Sequence, residues 1–357
     1  MNTSNLNPLD PLNLLDPSTL ANYFQKIRQD FPALDQKIHG QNLIYLDSAA
    51  TSLKPRQVIQ RITSFYEHES ANIHRGAHLL ADQATEAFEQ SRNTIAQHIN
   101  AQSSDEIIFT KGTTESINLI ATALGRGLLN SGDEILISEM EHHSNIVPWH
   151  LLSQDKGVIV KMIKVKENGE LDYEDFQSQL SNKTKLVSVT ACSNVLGTIN
   201  NIQFIIEKAH EIGALVVIDG AQSIVHSKVD VQKLGCDFYV FSGHKVFAPF
   251  GIGILYGKKD LLNQLPPYQG GGSMIESVFP DKSTYLKSPF RFEAGTPPVS
   301  GAIALGTALK YLQNIGIEKI QAWENILLKK AMSLLTKIEG LHTYGNPSEK
   351  CGIISFN

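Results

Sequence analysis

Residues 238–245 read FYVFSGHK, an apolar run followed at once by a tight polar turn that contains Lys245. A second apolar run, residues 214–218, ends in the same way at Asp219. Short apolar runs bounded by turn residues are typical of buried strands in a parallel sheet. Because the carboxyl ends of parallel strands converge on one crevice, we expect Asp219 and Lys245 to face the same ligand.

The chain around this stretch alternates between short apolar runs and helical patterns. Predicted strands cover residues 106–109, 134–137, 158–163, 185–190, 214–218 and 238–241. Such alternation indicates βαβ units and a mostly parallel sheet with helices on both faces. The sequence therefore predicts a protein of the α/β class.

The rhythm of these elements divides the chain into four parts. Residues 1–20, rich in Asn, Leu, Pro and Asp, predict a loosely ordered extension, and residues 21–46 an N-terminal segment of a smaller lobe. Residues 47–300 form the predicted large domain. Residues 301–357 combine helical patterns with short strands, so we expect them to form a smaller α+β lobe that is incomplete in this chain.

The composition is that of an ordinary globular protein, with 42% hydrophobic residues and a net charge of −5. This charge gives no electrostatic reason to expect nucleic acid or an anionic membrane surface as a partner. No apolar run approaches the roughly 18 residues of a membrane helix, and the N-terminal segment lacks the basic start of a signal peptide. Three cysteines without matched spacing argue against a disulfide framework, so we expect a soluble cytoplasmic protein.

Gly112-Thr113-Thr114 lies between a predicted strand and an apolar helix. Backbone amides and hydroxyls at such a helix N-terminus can bind a phosphate. A threonine that caps the helix after a turn glycine explains the same pattern, so both interpretations stay open. Nucleotide motifs do not compete, since the sequence lacks G-x-G-x-x-G and the outer glycines of residues 251–258 are one residue too far apart for a P-loop.

Two segments contain histidines that could bind a cofactor or a metal ion. Residues 141–145 read EHHSN and follow a predicted strand, so the imidazole of His142 can stack on a pyridine ring. Metal binding by both histidines is disfavoured, because neighbours on an extended chain point to opposite faces. His74 and His78 have the spacing of a helical zinc motif, but Arg75 replaces its general-base glutamate. The sequence predicts no metal site.

An aspartate and a lysine at neighbouring strand ends suit pyridoxal phosphate. The lysine can hold the cofactor aldehyde as a Schiff base, and the carboxylate can keep the pyridine nitrogen protonated. Asn194 and Gln222 also follow predicted strands and could bond the cofactor. Each residue has an ordinary alternative: a helix cap for Asp219, a solvated turn lysine for Lys245, and turn residues for the two amides. Together with residues 112–114 and His142, these candidates follow five different predicted strands. Such an arrangement is hard to obtain by chance.

The chain also contains a series of recognisable phrases. They are residues 45–51 (YLDSAAT), 72–76 (NIHRG), 110–115 (TKGTTE), 141–145 (EHHSN), 148–149 (PW), 193–197 (SNVLG), 219–222 (DGAQ), 242–245 (SGHK), 270–272 (GGG) and 294–298 (AGTPP). Taken in order, they resemble the class V aminotransferase group of fold-type I pyridoxal-phosphate enzymes, and within it the cysteine desulfurase and selenocysteine lyase family of the SufS type. The resemblance runs from about residue 31 to the last residue.

This resemblance implies roles for the residues in the matching phrases. Lys245 would be the Schiff-base lysine, Asp219 the pyridinium partner, and His142 the residue that stacks on the ring. Asn194 and Gln222 would contact the cofactor hydroxyl, and the residues at the phosphate would be Thr113, Thr114, Ser242 and His244. Thr296 would reach the phosphate of the neighbouring subunit in a homodimer. The residues near the substrate would be His74, Arg75 and Asn194.

The reaction that the resemblance implies is removal of sulfur from L-cysteine, or of selenium from L-selenocysteine, to leave alanine. Lys245, displaced from the cofactor by the substrate amine, would remove the α-proton. A cysteine thiolate of the enzyme would then take the sulfur as a persulfide. By the same resemblance, the persulfide passes to a sulfur-acceptor protein for iron–sulfur cluster assembly.

The sequence departs from this family at its end. The family's nucleophilic cysteine and the arginine that binds the substrate carboxylate lie beyond the strand that residues 352–356 resemble, and the sequence stops at Asn357. We therefore expect a C-terminally truncated homologue that lacks both residues. Among its own cysteines, Cys192 lies nearest the predicted site, whereas Cys236 and Cys351 adjoin apolar strands.

Two alternatives to a cysteine desulfurase stay open. One is a selenocysteine lyase, or another elimination or epimerisation enzyme on the same scaffold, because a selenol leaves more readily than a thiol. The other is a non-catalytic homologue that binds pyridoxal phosphate or dimerises with an intact paralogue.

Overall fold

A seven-stranded sheet forms the centre of the computed structural model, which describes residues 16–357. The strands in chain order are β1 (Lys37–Ile38), β2 (Gln41–Asn42), β3 (Ile107–Thr110), β4 (Glu134–Ser138), β5 (Ile159–Ile163), β6 (Thr184–Thr190), β7 (Leu215–Asp219), β8 (Phe238–Ser242), β9 (Gly253–Gly257), β10 (Ile275–Val278), β11 (Ser283–Tyr285), β12 (Thr343–Tyr344) and β13 (Ser355–Phe356). The central sheet has the order β3-β9-β8-β7-β6-β4-β5. The strands from β8 to β5 run parallel, so the predicted α/β class and mostly parallel sheet are confirmed.

All six predicted strands occur, but the sequence does not predict β9. This strand pairs antiparallel with both β3 and β8 and so separates them in the sheet. It reads GILYG, and glycines at both ends weaken its strand pattern. Its position is fixed by burial of all five residues between two neighbouring strands.

Helices cover both faces of the sheet. They are α1 (Pro17–Arg28), α2 (Arg56–His68), α3 (Leu79–His98), α4 (Thr113–Gly127), α5 (Val147–Lys156), α6 (Tyr173–Gln179), α7 (Ile202–Glu211), α8 (Ser223–His226), α9 (Val231–Leu234), α10 (Lys259–Gln264), α11 (Val299–Ile315) and α12 (Ile317–Leu335). Across residues 16–357, none has the length and apolar character needed to cross a bilayer.

Side chains of the central strands alternate between two apolar cores. In β7, Val216 and Ile218 join the larger core, which also contains residues of α3, α7 and α11. Val217 points to the opposite core, formed with residues of α4 and α5. This alternation follows from the two-residue period of a strand, and it buries the middle of the strand on both faces.

The predicted extension, residues 1–20, lies outside the described residues as far as Leu15. Residues 17–20 begin helix α1, because the side chain of Asp16 accepts from the backbone N–H of Thr19 and Pro17 suits the first turn. Phe24 of α1 then stacks on Trp323 of α12 with 5.8 Å between ring centroids. The helix that opens the described chain thus packs on one near its end.

Helix α11 packs into the larger core of the central domain, although the predicted boundary at residue 300 assigns it to the second lobe. Its buried residues include Ala302, Leu305 and Leu309, and they contact the same core as α2 and α3. The helix is apolar over most of its surface, which is typical of a helix surrounded by protein. The division into domains therefore stays a prediction at this boundary.

The contact between α11 and α3 gives a test of this packing. A Cβ built on Gly306 would lie 3.0 Å from the Cβ of Ser91, so we expect Gly306→Ala to push the helices apart. The expected loss in free energy of unfolding is roughly 1–2 kcal/mol, because overpacking outweighs the gain in helix propensity. Urea unfolding measures it. Lys310→Ala, an exposed position of the same helix, is the control, and equal midpoints for both variants would contradict the close contact.

Candidate active site

The carboxyl ends of β3, β8, β7, β6 and β4 meet at one edge of the sheet. β3 points the same way as β8, because two antiparallel pairs through β9 separate them. The register places Thr190, Asp219 and Val240 side by side on three adjacent strands. Lys245 follows β8 in a 3₁₀ turn, Gly243–Lys245, so the structure brings it to the same edge as Asp219.

Thr113 and Ser242 form a polar cradle at the start of helix α4. The Oγ of Ser242 accepts from the backbone N–H of Thr113 at 2.9 Å and shares a second hydrogen bond with Thr113 Oγ1 at 2.9 Å. Thr114 lies exposed in the same first turn. Hydroxyl groups and backbone N–H groups therefore lie at the positive end of the dipole of this 15-residue helix. Such an arrangement suits an anion.

Two glycines allow this cradle to form. A Cβ built on Gly253 of β9 would lie 2.3 Å from the Cα of Gly112, the residue that precedes α4. Gly112 itself has φ of 155°, a conformation that side chains disfavour. The backbone of β9 therefore supports the start of α4 from behind.

His244 lies beside the cradle with an unused polar atom. Its Nδ1 is buried and has no hydrogen-bond partner among the described residues, while its ring stacks on Phe250 with 5.7 Å between centroids. Burial, together with the charges of Lys245 and Lys54, lowers the pKa of His244 to about 4. The ring is therefore neutral at physiological pH and can present one N–H to a ligand.

The backbone of His244 is held by residues that sequence reasoning did not identify. Its carbonyl accepts from Thr51 Oγ1 at 3.1 Å, from Ser52 Oγ at 3.0 Å and from Lys54 Nζ at 3.0 Å. Burial lowers the pKa of Lys54 to about 8. In the sequence, Thr51 ends the phrase YLDSAAT, and Ser52 and Lys54 follow it. The family resemblance assigned no role to these residues.

Asp219 is a carboxyl group almost without solvent contact. It is 3% exposed, and its Oδ1 accepts from the backbone N–H of Ala221 at 2.9 Å. Burial raises the pKa of Asp219, while that N–H and the charges of Lys245 and His142 act in the opposite direction. A buried carboxylate in this position is stabilised by a cationic group close to it.

Lys245 lies partly buried next to this carboxyl group. Burial lowers its pKa, and the negative charge of Asp219 opposes that change. A lowered pKa increases the fraction of neutral amine, which is the nucleophilic form of lysine. Lys245 thus has the environment of a reactive amine rather than of a solvated surface lysine.

His142 follows β4 and is oriented by its own turn. Its Nδ1 lies 2.8 Å from Ser144 Oγ and accepts from the backbone N–H of Ser144 at 3.1 Å. Partial burial and the charge of Lys245 lower the pKa of His142. The lowered pKa favours the neutral form of the ring, and the contacts with Ser144 fix its orientation.

Behind His142 lies a buried polar network centred on Glu141. Its carboxyl group accepts from Ser138 Oγ, from Asn145 Nδ2 at 2.7 Å and from the backbone N–H of Thr190 at 3.0 Å. Burial raises the pKa of Glu141 to about 8, against the effect of these three donors. The network ties the EHHSN segment to β6. Glu141 and Asn145 stood in that segment, but their pairing was not visible in it.

Two amides complete the strand-end residues. Gln222 is 4% exposed and donates from Nε2 to the carbonyl of Ala49 at 2.8 Å, so it also holds the loop of the YLDSAAT phrase. Asn194 is half-buried in the turn that follows β6. Both lie beyond neighbouring strands of the same edge, as the sequence predicts.

His74, Arg75 and Thr296 lie together in a separate cavity. Gly272, Phe290 and other residues also line this cavity, which has a volume of about 150 Å³, and none of the strand-end residues does. His74 has a φ of 66°, and its Nε2 lies 3.4 Å from Glu89. The structure thus brings the predicted residues together in two groups rather than one. Within residues 16–357, no cluster of His, Cys, Asp or Glu has the arrangement of a metal site.

All three cysteines are buried. Cys236 is surrounded by apolar residues, and burial raises its pKa to about 12. Cys192 lies at the end of β6 and is 2% exposed, and the neighbouring sulfur of Cys351 and burial raise its pKa. A thiol attacks only as the thiolate, so neither Cys192 nor Cys236 has the environment of an exposed nucleophile.

Comparison with known proteins agrees with this geometry. A family model described as aminotransferase class V matches residues 44–357. A cysteine desulfurase of Pectobacterium carotovorum is 49% identical over 334 residues, which cover 93% of this chain and 82% of that protein. One of Dickeya dadantii is 49% identical over 333 residues, with coverage of 93% and 81%.

Solved structures show the same relationship. A cysteine desulfurase from Thermococcus onnurineus, solved without cofactor, has a TM-score of 0.88 at 37% identity, covering 93% of this chain and 82% of that one. A cysteine desulfurase from Escherichia coli has a TM-score of 0.86 at 36% identity, covering 97% and 83%.

The fold and the family match together define a fold-type I enzyme of the group that depends on pyridoxal phosphate. The chain belongs to the class V aminotransferase family and, within it, to the cysteine desulfurases. The predicted family, fold class, enzyme class and cofactor are confirmed at this level.

The network around Glu141 can be tested by mutation. Glu141→Ala leaves three buried donors without an acceptor, so we expect a loss of roughly 3 kcal/mol in free energy of unfolding near pH 6. The pKa of Glu141 rises from 4.5 to about 8 on folding, so the wild type loses stability as the pH rises through that interval. The variant lacks this component.

Urea unfolding at several pH values measures both effects. Glu167→Ala, at an exposed position, is the matched control, and we expect its stability to follow that of the wild type within about 0.5 kcal/mol. A Glu141→Ala variant as stable as the control would show that the network does not support this edge of the sheet.

Proposed function

We propose that this protein acts on L-cysteine as a pyridoxal-phosphate-dependent cysteine desulfurase, with its cofactor in the crevice at the strand ends. The observation that carries the proposal is the pairing of a buried carboxyl group, Asp219, with a partly buried amine, Lys245, at the ends of adjacent parallel strands. The names of the relatives supply the substrate.

The residues of the crevice fit the parts of the cofactor. Its phosphate would meet the hydroxyls of Thr113 and Thr114 and the N–H of Thr114 at the start of α4, with Ser242, which accepts from the N–H of Thr113, alongside. His244 adds a buried Nδ1 that has no partner among residues 16–357. With the proton of the neutral ring on Nδ1, this atom would donate to an anionic group in the cradle.

Pyridoxal phosphate, when bound, supplies an aldehyde that reacts with amines and a pyridine ring that withdraws electrons. Asp219 would hold the proton on the ring nitrogen, since a cation beside this buried carboxylate relieves its desolvation. His142 would cover one face of the ring, and Gln222 and Asn194 would lie toward its hydroxyl. These assignments rest on the strand-end positions of the four residues.

Lys245 would have two tasks in turn. As a neutral amine it would bind the cofactor aldehyde, and once displaced by the substrate amine it would take the α-proton of the substrate at Nζ. Burial supports both tasks, because it lowers the pKa of Lys245. The charge of Asp219 limits that change.

The cavity lined by His74, Arg75 and Thr296 suits a site that two subunits share. We propose a homodimer in which Thr296 reaches the phosphate of the neighbouring subunit, with His74 and Arg75 close to the substrate. Support comes from the separation of these residues from the crevice of their own chain, together with the positive charge of Arg75 and the exposure of Thr296. We also propose the cytoplasm as the site of action, because the three cysteines are free thiols.

Sulfur transfer requires a cysteine thiolate that takes the sulfur from the substrate. The resemblance to the SufS type implies a persulfide that serves iron–sulfur assembly through an acceptor protein. Since Cys192, Cys236 and Cys351 are all buried, we propose that none of them is the nucleophile that takes the sulfur.

The buried thiols also favour a second candidate, selenocysteine lyase activity. A selenol leaves without help from an enzyme thiolate, so elimination needs only the groups of the crevice. Turnover of selenocysteine with little turnover of cysteine would favour this candidate, whereas equal rates would argue against it.

The cofactor assignment predicts the effect of removing Lys245. We expect the protein to develop the long-wavelength absorbance of lysine-bound cofactor when titrated with pyridoxal phosphate, and Lys245→Ala to abolish it, because Lys245 is the lysine whose charge acts on Asp219. Borohydride reduction followed by peptide mapping identifies the modified lysine. Lys156→Ala, at an exposed position of α5, is the control and should behave as the wild type. Labelling at a different lysine would overturn the assignment.

The proposal that the buried thiols do not take the sulfur predicts that they are dispensable for turnover. We expect the same rate of alanine formation from L-cysteine after Cys192→Ala or Cys236→Ala, because neither thiol takes part. Alanine quantified by chromatography gives the rate. Rapid turnover that Cys192→Ala abolishes would show that the strand-end thiol is the nucleophile after all.

A further inference from the structure

Two of the cysteines form a contact that the proposed reaction does not use. The Sγ atoms of Cys192 and Cys351 lie 2.9 Å apart, although 159 positions separate them in the chain. This is about 0.9 Å longer than the roughly 2.0 Å bond of a disulfide. Both residues are buried, at 2% and 3% exposure, in a small cluster with Ile353 and Ala49.

The backbone on both sides holds the two thiols in register. Cys192 forms a bridge with Ile199, and Thr198 forms one with Lys350. The backbone N–H of Cys351 donates to the carbonyl of Gly197 at 2.9 Å. The segment before β13 therefore lies along the turn after β6 as a paired strand would, and this pairing keeps the sulfur atoms together.

Side chains strengthen the same contact. Lys350 Nζ donates to the carbonyl of Leu196 at 2.6 Å, and Ser355 Oγ donates to the carbonyl of Val195 at 2.6 Å. A Cβ at Gly197 would lie 2.8 Å from the carbonyl oxygen of Ile353, so the two segments are in close contact. Bonding the two sulfur atoms thus requires a small approach and no rearrangement of the backbone pairing.

The chemical environment distinguishes the two thiols. A hydrogen bond from Cys192 lowers the pKa of Cys351 against the effect of burial, and the nearby His226 acts in the same direction. His226 in turn is hydrogen-bonded to Glu324 at 2.9 Å. Ionisation of the pair is therefore favoured at Cys351 rather than at Cys192.

We propose that Cys192 and Cys351 are a redox modification site that forms a reversible intramolecular disulfide with a peroxide as oxidant. The thiolate of Cys351 attacks one peroxide oxygen, the O–O bond breaks, and the products are a sulfenic acid and, after protonation, water. The sulfur of Cys192 then attacks the sulfenic sulfur, an S–S bond forms, and the hydroxyl leaves as a second water with the thiol proton. Two thiols and one hydrogen peroxide thus give one disulfide and two waters.

The disulfide would join the end of β6 to the segment at residues 342–357. Residues 193–197, the turn that follows Cys192, include Asn194 at the edge of the crevice. In the reduced protein only hydrogen bonds and apolar contacts hold this turn to the later segment. Oxidation makes the attachment covalent, so the mobility of the turn depends on the redox state.

Peptide mapping of the whole chain tests the site. The purified protein is treated with hydrogen peroxide, denatured in N-ethylmaleimide and digested with trypsin. We expect one linked species that contains Cys192 and Cys351, lighter than the two reduced peptides by two hydrogen atoms, and its loss on reduction. Cys236 should be fully alkylated, since it has no sulfur neighbour among the described residues.

Variants separate this pair from general oxidation of thiols. Cys236→Ala is the matched control and should keep the linked species, while Cys192→Ala and Cys351→Ala should lose it. Full alkylation of both thiols after peroxide treatment of the wild type would overturn the proposal. Links through Cys236, or covalent dimers on a non-reducing gel, would also overturn it.

Hydrogen exchange tests the consequence without any variant. Residues 342–357 and 193–197 should exchange their amide hydrogens more slowly in the oxidised protein than in the reduced protein. Residues of α5, which lie away from the pair, should exchange equally in both forms. Equal rates at residues 342–357 in a protein shown to be cross-linked would overturn the proposed effect on the turn.

Discussion

Asp219 places a carboxyl group at the end of β7 with almost no access to water, and few groups of the chain meet its charge. One backbone N–H, from Ala221, bonds it directly, and Lys245 and His142 act on it through their charges. A carboxylate in such surroundings is costly until a cation lies beside it. A protonated ring nitrogen is such a cation, which is why we propose that this carboxyl group sets the position of the pyridine ring of the cofactor.

The structure holds these groups with interactions that are themselves buried. The carboxyl group of Glu141 joins the segment of His142 to β6, and the carbonyl of His244 gathers donors from residues 51–54. Gly112 and Gly253 let the backbone of β9 support the start of α4. Because these supports are out of water, small displacements leave polar groups unpaired, and the crevice keeps its shape before any ligand arrives.

Local sequence patterns predicted the strands that end at the crevice, because apolar runs and turn residues report burial and chain reversal directly. They did not predict β9, whose short glycine-bounded run resembles a loop. Nor did they predict that Arg75 and Thr296 line one cavity, although the family resemblance already assigned Thr296 to the phosphate of the neighbouring subunit. The roles of Glu141 and Lys54 were likewise missed, because a buried acceptor or amine is defined by neighbours distant in sequence.

The amino-acid sequence was enough to establish the α/β class, the strand ends, the family and the kinds of side chain available for chemistry. These are properties of short segments, and each segment carries its own pattern. The strand order, the burial that shifts the pKa values of Asp219 and Lys245, and the contact of two sulfur atoms 159 positions apart came only from the tertiary structure. Desolvation and contact depend on which segments fold against each other, and no local pattern records that.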